Sequence, residues 1–468
     1  MKKFIAKSSE LFERFDPKYV AFKRRSASFR YPAVTMGSLL SEPPEYGAGE
    51  AGVERENDAT PRYIRITDID ENGELLPGLG MTAAKVESQY LLRDGDLLFA
   101  RSGNTVGKCY LHDSERVDYP CFYAGYMIRF RFDEKVLPKY VFAFAQTPYY
   151  REWVSAIQRS AGQPNINAQE YRSLELPLPP LPEQRKIVAE LDAAYAAKRA
   201  ADEKATKLLA SIDDMVLNEL GIAKLPKPDT SLSSRIFIAL TTEINNGRFD
   251  PKYVAFSRRI AAFKYPAVKL GSLLSEPPAY GAGEAGIERT SEDQPRYVRI
   301  TDIDENGELL PGFGVTAENI EATYLLHEGD LLLARSGNTV GKSYLHRSAE
   351  VGGRCIYAGY MIRFRFVDAV LPEYVFAFTQ TSYYREWVQA IQRTAGQPNI
   401  NAEEYQSMAI PLPPLEVQDR IASKASSIRA EARKLKADAT AALDAAKRRI
   451  EARVLNLALK EHALLDEI

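Results

Sequence analysis

Two glycine-rich segments are the first residues in this 468-residue chain whose types and spacing could do chemistry. Gly47-Ala-Gly-Glu-Ala-Gly52 and Gly281-Ala-Gly-Glu-Ala-Gly286 match a dinucleotide fingerprint by letter. That fingerprint works only where a strand precedes it and a helix follows, so that phosphate meets a helix N-terminus. Here Glu42-Pro-Pro-Glu45 precedes and a charged, turn-rich stretch follows, so a glycine-rich loop is the better reading. Gly103-Asn-Thr-Val-Gly-Lys108 and Gly337-Asn-Thr-Val-Gly-Lys-Ser343 resemble a phosphate loop but have one residue too few between their glycines. Cys109 also stands where a Mg²⁺-binding hydroxyl belongs, and Tyr110-Leu111 reads as a strand. Methyl transfer to a base amino group would need a polar residue, two prolines and an aromatic in sequence; Glu42-Pro-Pro-Glu-Tyr46 has Glu where the polar ligand and the aromatic should be. His112, His327, His346 and His462 lack metal-ligand spacing, and no Ser-His-Asp or Cys-His arrangement recurs. Cys109 is matched by Ser343, so no disulfide framework is duplicated, and Cys121 and Cys355 read as small core residues. A non-catalytic chain without a cofactor or metal of its own is expected.

What does recur is basic and amide groups interleaved with aromatics: Lys18, Tyr19, Lys23, Arg24 and Arg25; Arg62, Tyr63 and Arg65; Arg101, Asn104 and Lys108; Arg159, Gln163, Asn165 and Asn167. Arg, Asn and Gln can read base edges through paired hydrogen bonds, while Lys and Arg hold phosphates. The leading candidates for DNA contact are Arg101, Asn104, Lys108 and Arg159, with Arg335, Asn338, Lys342 and Arg393. Behind them stand Arg62, Arg65, Arg296 and Arg299. The bland reading of each is solvated surface or a buried polar cap, and Gln163-Pro-Asn-Ile-Asn167 reads as a structural turn. A net charge of −2 excludes a globally basic binder, so any DNA contact is through local patches or beside a basic partner.

The elements that must position these residues occur twice. Residue n aligns with residue n+234, half of the chain, without a gap from Phe15 and Phe249 to Pro180 and Pro414. Arg65 to Pro77 matches Arg299 to Pro311, and Ala100 to Lys108 matches Ala334 to Lys342. Two copies of one globular unit suit a target with two equivalent halves. Each copy opens with short strand patterns, among them Arg62 to Ile66, Asp96 to Ala100 and Gly125 to Phe132, and with turn chemistry at Asp70-Glu-Asn-Gly73. One helix is expected from Pro138 to Arg159. After Leu178-Pro-Pro-Leu-Pro182 and Leu412-Pro-Pro-Leu415 the texture changes to sustained helical spacing, from Glu183 to Leu220 with Gly221 as cap, and from Ile421 to Leu457. Mutual packing of these helices as a coiled coil is expected, since a long helix needs a partner to bury its apolar stripe. The fold class is therefore α+β: two tandem, near-identical domains with pseudo-two-fold symmetry, joined by two long helices. The expected boundaries are domain one over 1–182, helix one over 183–222, a Pro-rich linker over 223–234, domain two over 235–415 and helix two over 416–464. No apolar run reaches membrane-spanning length and the N-terminus lacks a signal-peptide core, so a cytoplasmic location is expected.

With these patterns the chain resembles the specificity (S) subunits of type I restriction-modification systems. Pro44-Glu-Tyr-Gly47, Gly95-Asp-Leu-Leu-Phe-Ala-Arg-Ser-Gly103, Ala161-Gly-Gln-Pro-Asn-Ile-Asn167 and above all Leu176-Pro-Leu-Pro-Pro-Leu-Pro-Glu-Gln-Arg-Lys-Ile187 carry the resemblance and recur in the second copy. Glu416-Val-Gln-Asp-Arg-Ile421 departs from Pro182-Glu-Gln-Arg-Lys-Ile187 at the start of the second long helix. The resemblance implies two target recognition domains, each gripping one half of a split site in double-stranded DNA, with antiparallel helices between them. It also implies two modification subunits as partners, which methylate adenine with S-adenosylmethionine, and restriction subunits that can join and cut with ATP and Mg²⁺. Because the two domains here are close copies, the repeat predicts an interrupted near-palindrome as the target. Two competitors from other classes are a tandem protein- or carbohydrate-binding module that dimerises through its helices, and an enzyme binding a nucleotide at the glycine loops.

Overall fold

The computed structural model describes residues 17–25, 28–158, 164–225, 238, 240, 251–260, 263–392 and 397–456. The first repeat runs α1 (Pro17–Arg25), β1 (Ala33–Thr35), β2 (Glu45–Tyr46), β3 (Gly52–Glu54), β4 (Arg62–Ile64), β5 (Met81–Ala83), β6 (Leu97–Ala100), β7 (Cys109–Leu111), β8 (Cys121–Tyr123), β9 (Met127–Phe130), α2 (Pro138–Phe144), α3 (Pro148–Ile157), α4 (Ala168–Arg172), β10 (Glu175–Pro177) and α5 (Leu181–Leu220). The second runs α6 (Pro251–Ser257), β11 (Ala267–Lys269), β12 (Ala279–Tyr280), β13 (Gly286–Glu288), β14 (Arg296–Val298), β15 (Val315–Ala317), β16 (Leu331–Ala334), β17 (Ser343–Leu345), a one-turn α7 (Ser348–Val351), β18 (Cys355–Tyr357), β19 (Met361–Phe364), α8 (Pro372–Phe378), α9 (Ser382–Ile391), α10 (Ala402–Gln406), β20 (Ala409–Pro411) and α11 (Leu415–Val454). The expected α+β class with two tandem domains and two long helices is the observed one.

Two compact units emerge. Unit 1 is Met1–Ala201 with Ala437–Ile468, and unit 2 is Asp202–Lys436. In unit 1 a four-stranded sheet has the order β2-β9-β6-β7 and a second has β3-β5-β4-β8, with β4 parallel to β8. β6 lies between two neighbours and buries all four residues, which is why Leu97-Leu-Phe-Ala100 reads as an unbroken apolar run. Phe99, Phe130, Tyr150, Trp153 and Tyr171 interlock behind it. Unit 2 repeats the first sheet as β12-β19-β16-β17, while the second splits into the pairs β13-β15 and β14-β18.

Three local expectations are refined. The single helix over 138–159 is two, because Thr147 caps a new start by accepting from the Tyr150 amide and Pro148 has no N–H to continue the preceding ladder. The strand over 125–132 shortens to β9, with Gly125 and Tyr126 in a turn. The strand over 62–66 ends at Ile64, where Arg65 and Asp68 cap a turn of 3-10 helix. Gly73 and Gly307 take φ of 78° and 77° at the expected turns.

The long helices are α5 and α11, and Gly221 at φ 63° ends the first as expected. In unit 1 the first half of α5 buries Ile187, Leu191 and Tyr195 in the same core as Leu443, Ile450 and Val454 of α11. Glu183 pairs with Arg453, and Glu190 with Arg449 and Arg453, so the two segments run antiparallel. In unit 2 Ile212, Val216, Leu217 and Leu220 of α5 share a core with Ile421 and Ala425 of α11, and Glu219 pairs with Arg420 and Lys424 at its rim. Those two cations hold the Glu219 carboxyl down at about 2. Each repeat's globular part is thus completed by helix from both repeats.

Candidate nucleic-acid interface

In unit 1 the end of β2, the β8–β9 turn, the residue after β6 and the start of α4 converge at one edge of the sheet, the one where the strands end. The Arg101 amide donates to the Tyr126 carbonyl at 2.9 Å, and the Arg101 carbonyl accepts from the Ile166 amide at 2.8 Å. This ties the residue on both sides, and its guanidinium lies over the Tyr46 ring, 4.9 Å from the centroid. The Tyr46 hydroxyl in turn accepts from the Ala168 amide at 3.2 Å, in the first turn of α4, where Asn167 and Glu170 cap each other reciprocally. Arg101 Nε is buried without a hydrogen-bond partner, and Tyr126 stands 68% exposed beside it. Gly47 makes the approach possible: a Cβ there would lie 2.4 Å from the carbonyl oxygens of Tyr123 and Ala124.

Unit 2 builds the same edge from the same residue types. Arg335 lies 4.8 Å from the Tyr280 ring centroid, its amide donates to the Tyr360 carbonyl at 2.9 Å and its Nε is buried and unpartnered. Tyr280 accepts from the Ala402 amide at 3.3 Å, and Tyr360 is 65% exposed. A guanidinium stacked on a tyrosine ring is held in one plane, so its donor edge is presented as a fixed fork. An exposed aromatic beside it adds a flat apolar surface with a polar tip.

The other sequence candidates divide into three groups. Asn104 and Asn338 are exposed at the tips of their glycine loops. Lys108 and Lys342 are turned inward: each donates to a carbonyl, Ile69 or Ile303, at 3.0 Å and pairs with Glu71 or Glu305 at 2.9 Å. Arg62 is buried and donates to the Tyr119 hydroxyl and the Leu76 carbonyl, while Arg296 donates to the Leu310 carbonyl. Arg65 and Arg299 grip Asp68 and Asp302 through two donors each, and those hydrogen bonds raise both guanidinium pKa values. Arg159, Gln163 and Arg393 lie outside the described residues, as does the expected linker over 223–234 from residue 226 onward. The edge therefore brings together Arg101 with Tyr46 and Tyr126, and Arg335 with Tyr280 and Tyr360. The tyrosines were not among the sequence candidates; their signal was that Glu45-Tyr-Gly47 and Gly125-Tyr-Met127 place a tyrosine against glycine, where a turn and not a packed strand was to be expected.

The glycine loops carry no phosphate-loop architecture. Gly103 to Lys108 turns directly into β7 and Gly337 to Lys342 into β17, so no helix N-terminus faces them. Burial pushes the thiols of Cys109 and Cys121 up to about 12 and that of Cys355 to about 11, which keeps all three protonated and inert. Among the described residues no group of His, Cys, Asp and Glu could hold a metal ion, and no helix is long and apolar enough to cross a membrane.

Comparison with known proteins agrees with the twofold layout. The sequence matches the family described as Type I restriction modification DNA specificity domain over residues 55–207 and again over 299–442. It is 23% identical over 358 residues to the type I restriction enzyme EcoKI specificity subunit of Escherichia coli K12, covering 73% of this chain and 69% of that protein. The StySPI specificity subunit of Salmonella potsdam is 20% identical over 354 residues, with the same coverage. Among solved structures, the type I restriction-modification S subunit from M. genitalium covers 91% of this chain and 97% of its own, at 12% identity and a TM-score of 0.40.

Proposed function

The chain belongs to the type I restriction-modification DNA specificity family, and from that premise we propose that it is the non-catalytic reader of a bipartite site in double-stranded DNA. In this reading each unit grips one half-site, and the chain directs adenine methylation, and cleavage where a restriction subunit joins, by partner subunits. Two modification subunits would carry S-adenosylmethionine, and ATP with Mg²⁺ would belong to the cutting partner. The single observation that carries the reading is the pair of edges at Arg101 and Arg335. Each offers a planar guanidinium lying over a tyrosine ring and flanked by a second exposed tyrosine. A held arginine fork suits guanine O6 and N7 or a backbone phosphate. Asn104 and Asn338, exposed nearby in sequence, are proposed as additional contacts, and Arg159 and Arg393 keep their place as candidates. Arg62, Arg65, Lys108 and their copies are proposed to shape the surface that the contacts stand on. The tandem protein- or carbohydrate-binding module is not favoured by the family match.

Because the two edges have the same residue types and near-identical geometry, the proposed target is an interrupted near-palindrome. The test is genome-wide mapping of N6-methyladenine in a host expressing the chain with its neighbouring modification subunit, against a host lacking the chain. A split, near-palindromic motif that depends on the chain supports role and symmetry together. Two unrelated half-sites retain the role and remove the symmetry, and no chain-dependent motif, with the modification subunit active, removes the role.

A further inference from the structure

Each unit receives a stretch of long helix from the opposite repeat, and the residues at the two receiving faces differ between the repeats in a matched way. In unit 1 the incoming segment is the end of α11. Lys447, 2% exposed, donates to Asn72 Oδ1 at 2.7 Å and lies 5.9 Å from the Tyr195 ring centroid. Glu451, one turn further on, accepts from the Tyr149 amide at the start of α3. In unit 2 the incoming segment is the end of α5. Asp213, the counterpart of Lys447 at the offset of 234, accepts from the amide and hydroxyl of Ser382 at 2.8 and 3.0 Å at the start of α9. Leu217, the counterpart of Glu451, is buried in the core.

The receiving sides are changed to suit. Tyr195 donates its hydroxyl to the Asn72 carbonyl at 2.6 Å; its counterpart Arg429 donates to the equivalent Asn306 carbonyl at 2.5 Å and stacks 4.5 Å from the Phe376 centroid. Ser382, with an N–H and a hydroxyl to give, corresponds to Pro148, which has neither. We propose that Asp213, Leu217, Ser382 and Arg429 in unit 2, and Lys447, Glu451, Pro148 and Tyr195 in unit 1, form an addressing code that makes each receiving face fit the helix segment of the opposite repeat and reject that of its own.

Exchange of the segments shows how the rejection works. With the α11 sequence on unit 2, a lysine would replace Asp213 in a cavity of about 480 Å³ lined by Arg385 and Arg429, and Ser382 would lose its acceptor. Arg385 Nη2 already lies 4.0 Å from the Asp213 carboxylate, so the substitution sets cation against cation at a half-enclosed site. With the α5 sequence on unit 1, an aspartate would face Pro148, Leu217 would replace the carboxylate that caps Tyr149, and Asn72 Oδ1 would lose its donor. Both wrong pairings strip helix caps and leave half-buried polar groups without partners, while both right pairings satisfy them. The same discrimination acts against a second copy of the chain whose α11 end approaches unit 2.

The test is a block cycle in the full chain. The helix block is Asp213→Lys with Leu217→Glu, and the receiving block is Ser382→Pro with Arg429→Tyr; together they transplant the unit 1 address into unit 2. Thermal unfolding is the readout, with amide exchange across α9 locating the change. Each block alone is expected to lower the unfolding temperature by roughly 5 to 10 °C and to speed exchange in α9. The combined variant is expected to recover more than half of the summed loss. A combined variant no more stable than the two losses added together, or one that fails to fold, overturns the code. Where a single block does not fold at all, the combined variant still decides: folding with protected α9 amides supports the code, and its absence overturns it.

Discussion

The edge bearing Arg101 and the face that receives the long helices have diverged to very different extents between the two repeats. At the edge, Tyr46, Gly47, Arg101 and Tyr126 become Tyr280, Gly281, Arg335 and Tyr360, and the ring-to-guanidinium distance changes only from 4.9 to 4.8 Å. At the helix face, Asp113, Arg116, Lys139 and Tyr195 become Arg347, Glu350, Glu373 and Arg429. The ion pairs there are rewired: Glu74 draws in Arg116 and Arg199 in unit 1, whereas Glu308 draws in Arg429 and Arg433 in unit 2, with Glu350 also held by Arg433. The outward-facing edge is kept, and the chemistry that meets a particular stretch of helix is individual to each unit.

The comparison breaks most readily at the arginines. Replacing Arg101 and Arg335 together by Ala is expected to weaken specific DNA binding by about 2 to 6 kcal/mol, taking ~1 to 3 kcal/mol for each base contact. Titration of the assembled complex with its cognate duplex measures it, and each single variant should relax one half-site only. Unchanged affinity and an unchanged methylated motif in the double variant would remove the edge from the interface. Tyr126→Ala with Tyr360→Ala should cost less, about 1 to 2 kcal/mol in total by lost stacking and contact area, with the salt dependence of affinity unaltered because no phosphate-binding cation is removed. A flatter salt slope would show that the tyrosines act by placing the arginines.

On the helix face, Tyr195→Phe removes one buried hydrogen bond to the Asn72 carbonyl and should lower stability by about 1 kcal/mol. Chemical denaturation reads this, with amide exchange confined to unit 1 as the sharper sign; equal loosening of unit 2 would contradict the separate helix faces. The smallest effect is shared by both repeats. Burial lowers the pKa of His112 and His346, each hydrogen-bonded through Nδ1 to the tyrosine two residues earlier. A histidine depressed in the folded state binds fewer protons than in the unfolded chain, so its contribution is intact above pH ~6.5 and declines as pH falls below that value. Denaturation midpoints between pH 7 and 5 should fall, and should fall less in a variant with both histidines changed to Gln.

Much of this is legible in the sequence. The repeat, the strand run Leu97 to Ala100, the two long helices and the Gly221 cap follow from periodicity and turn chemistry, which are local properties. What escaped was decided by distant partners. Lys108 has the spacing of a surface phosphate contact, yet its ammonium is drawn to the Ile69 carbonyl, 39 residues back in the chain. Arg62 lies in an apolar strand and goes under with it. Tyr126 has the composition of a core strand residue and emerges because Gly125 and Tyr126 form the turn that brings β9 back. The break between α2 and α3 was legible in principle, since Thr147-Pro148 is a start signal, but the apolar spacing runs on through it and masks it.

Gly47 and Gly281 have a consequence for how such a surface can change over generations. Both positions are closed to any side chain by carbonyl oxygens 2.4 Å from where a Cβ would sit, so the backbone under Tyr46 and Tyr280 is a fixed mount. The neighbouring Gly49 and Gly283 meet nothing within 4 Å, and Val53 and Ile287 already differ between the repeats while remaining exposed. In a library randomised across 46–54, survivors should be monomorphic at 47 and diverse at 49 and 53. New binding preferences would then arise by drift around an immovable pivot, without any cost to the scaffold beneath.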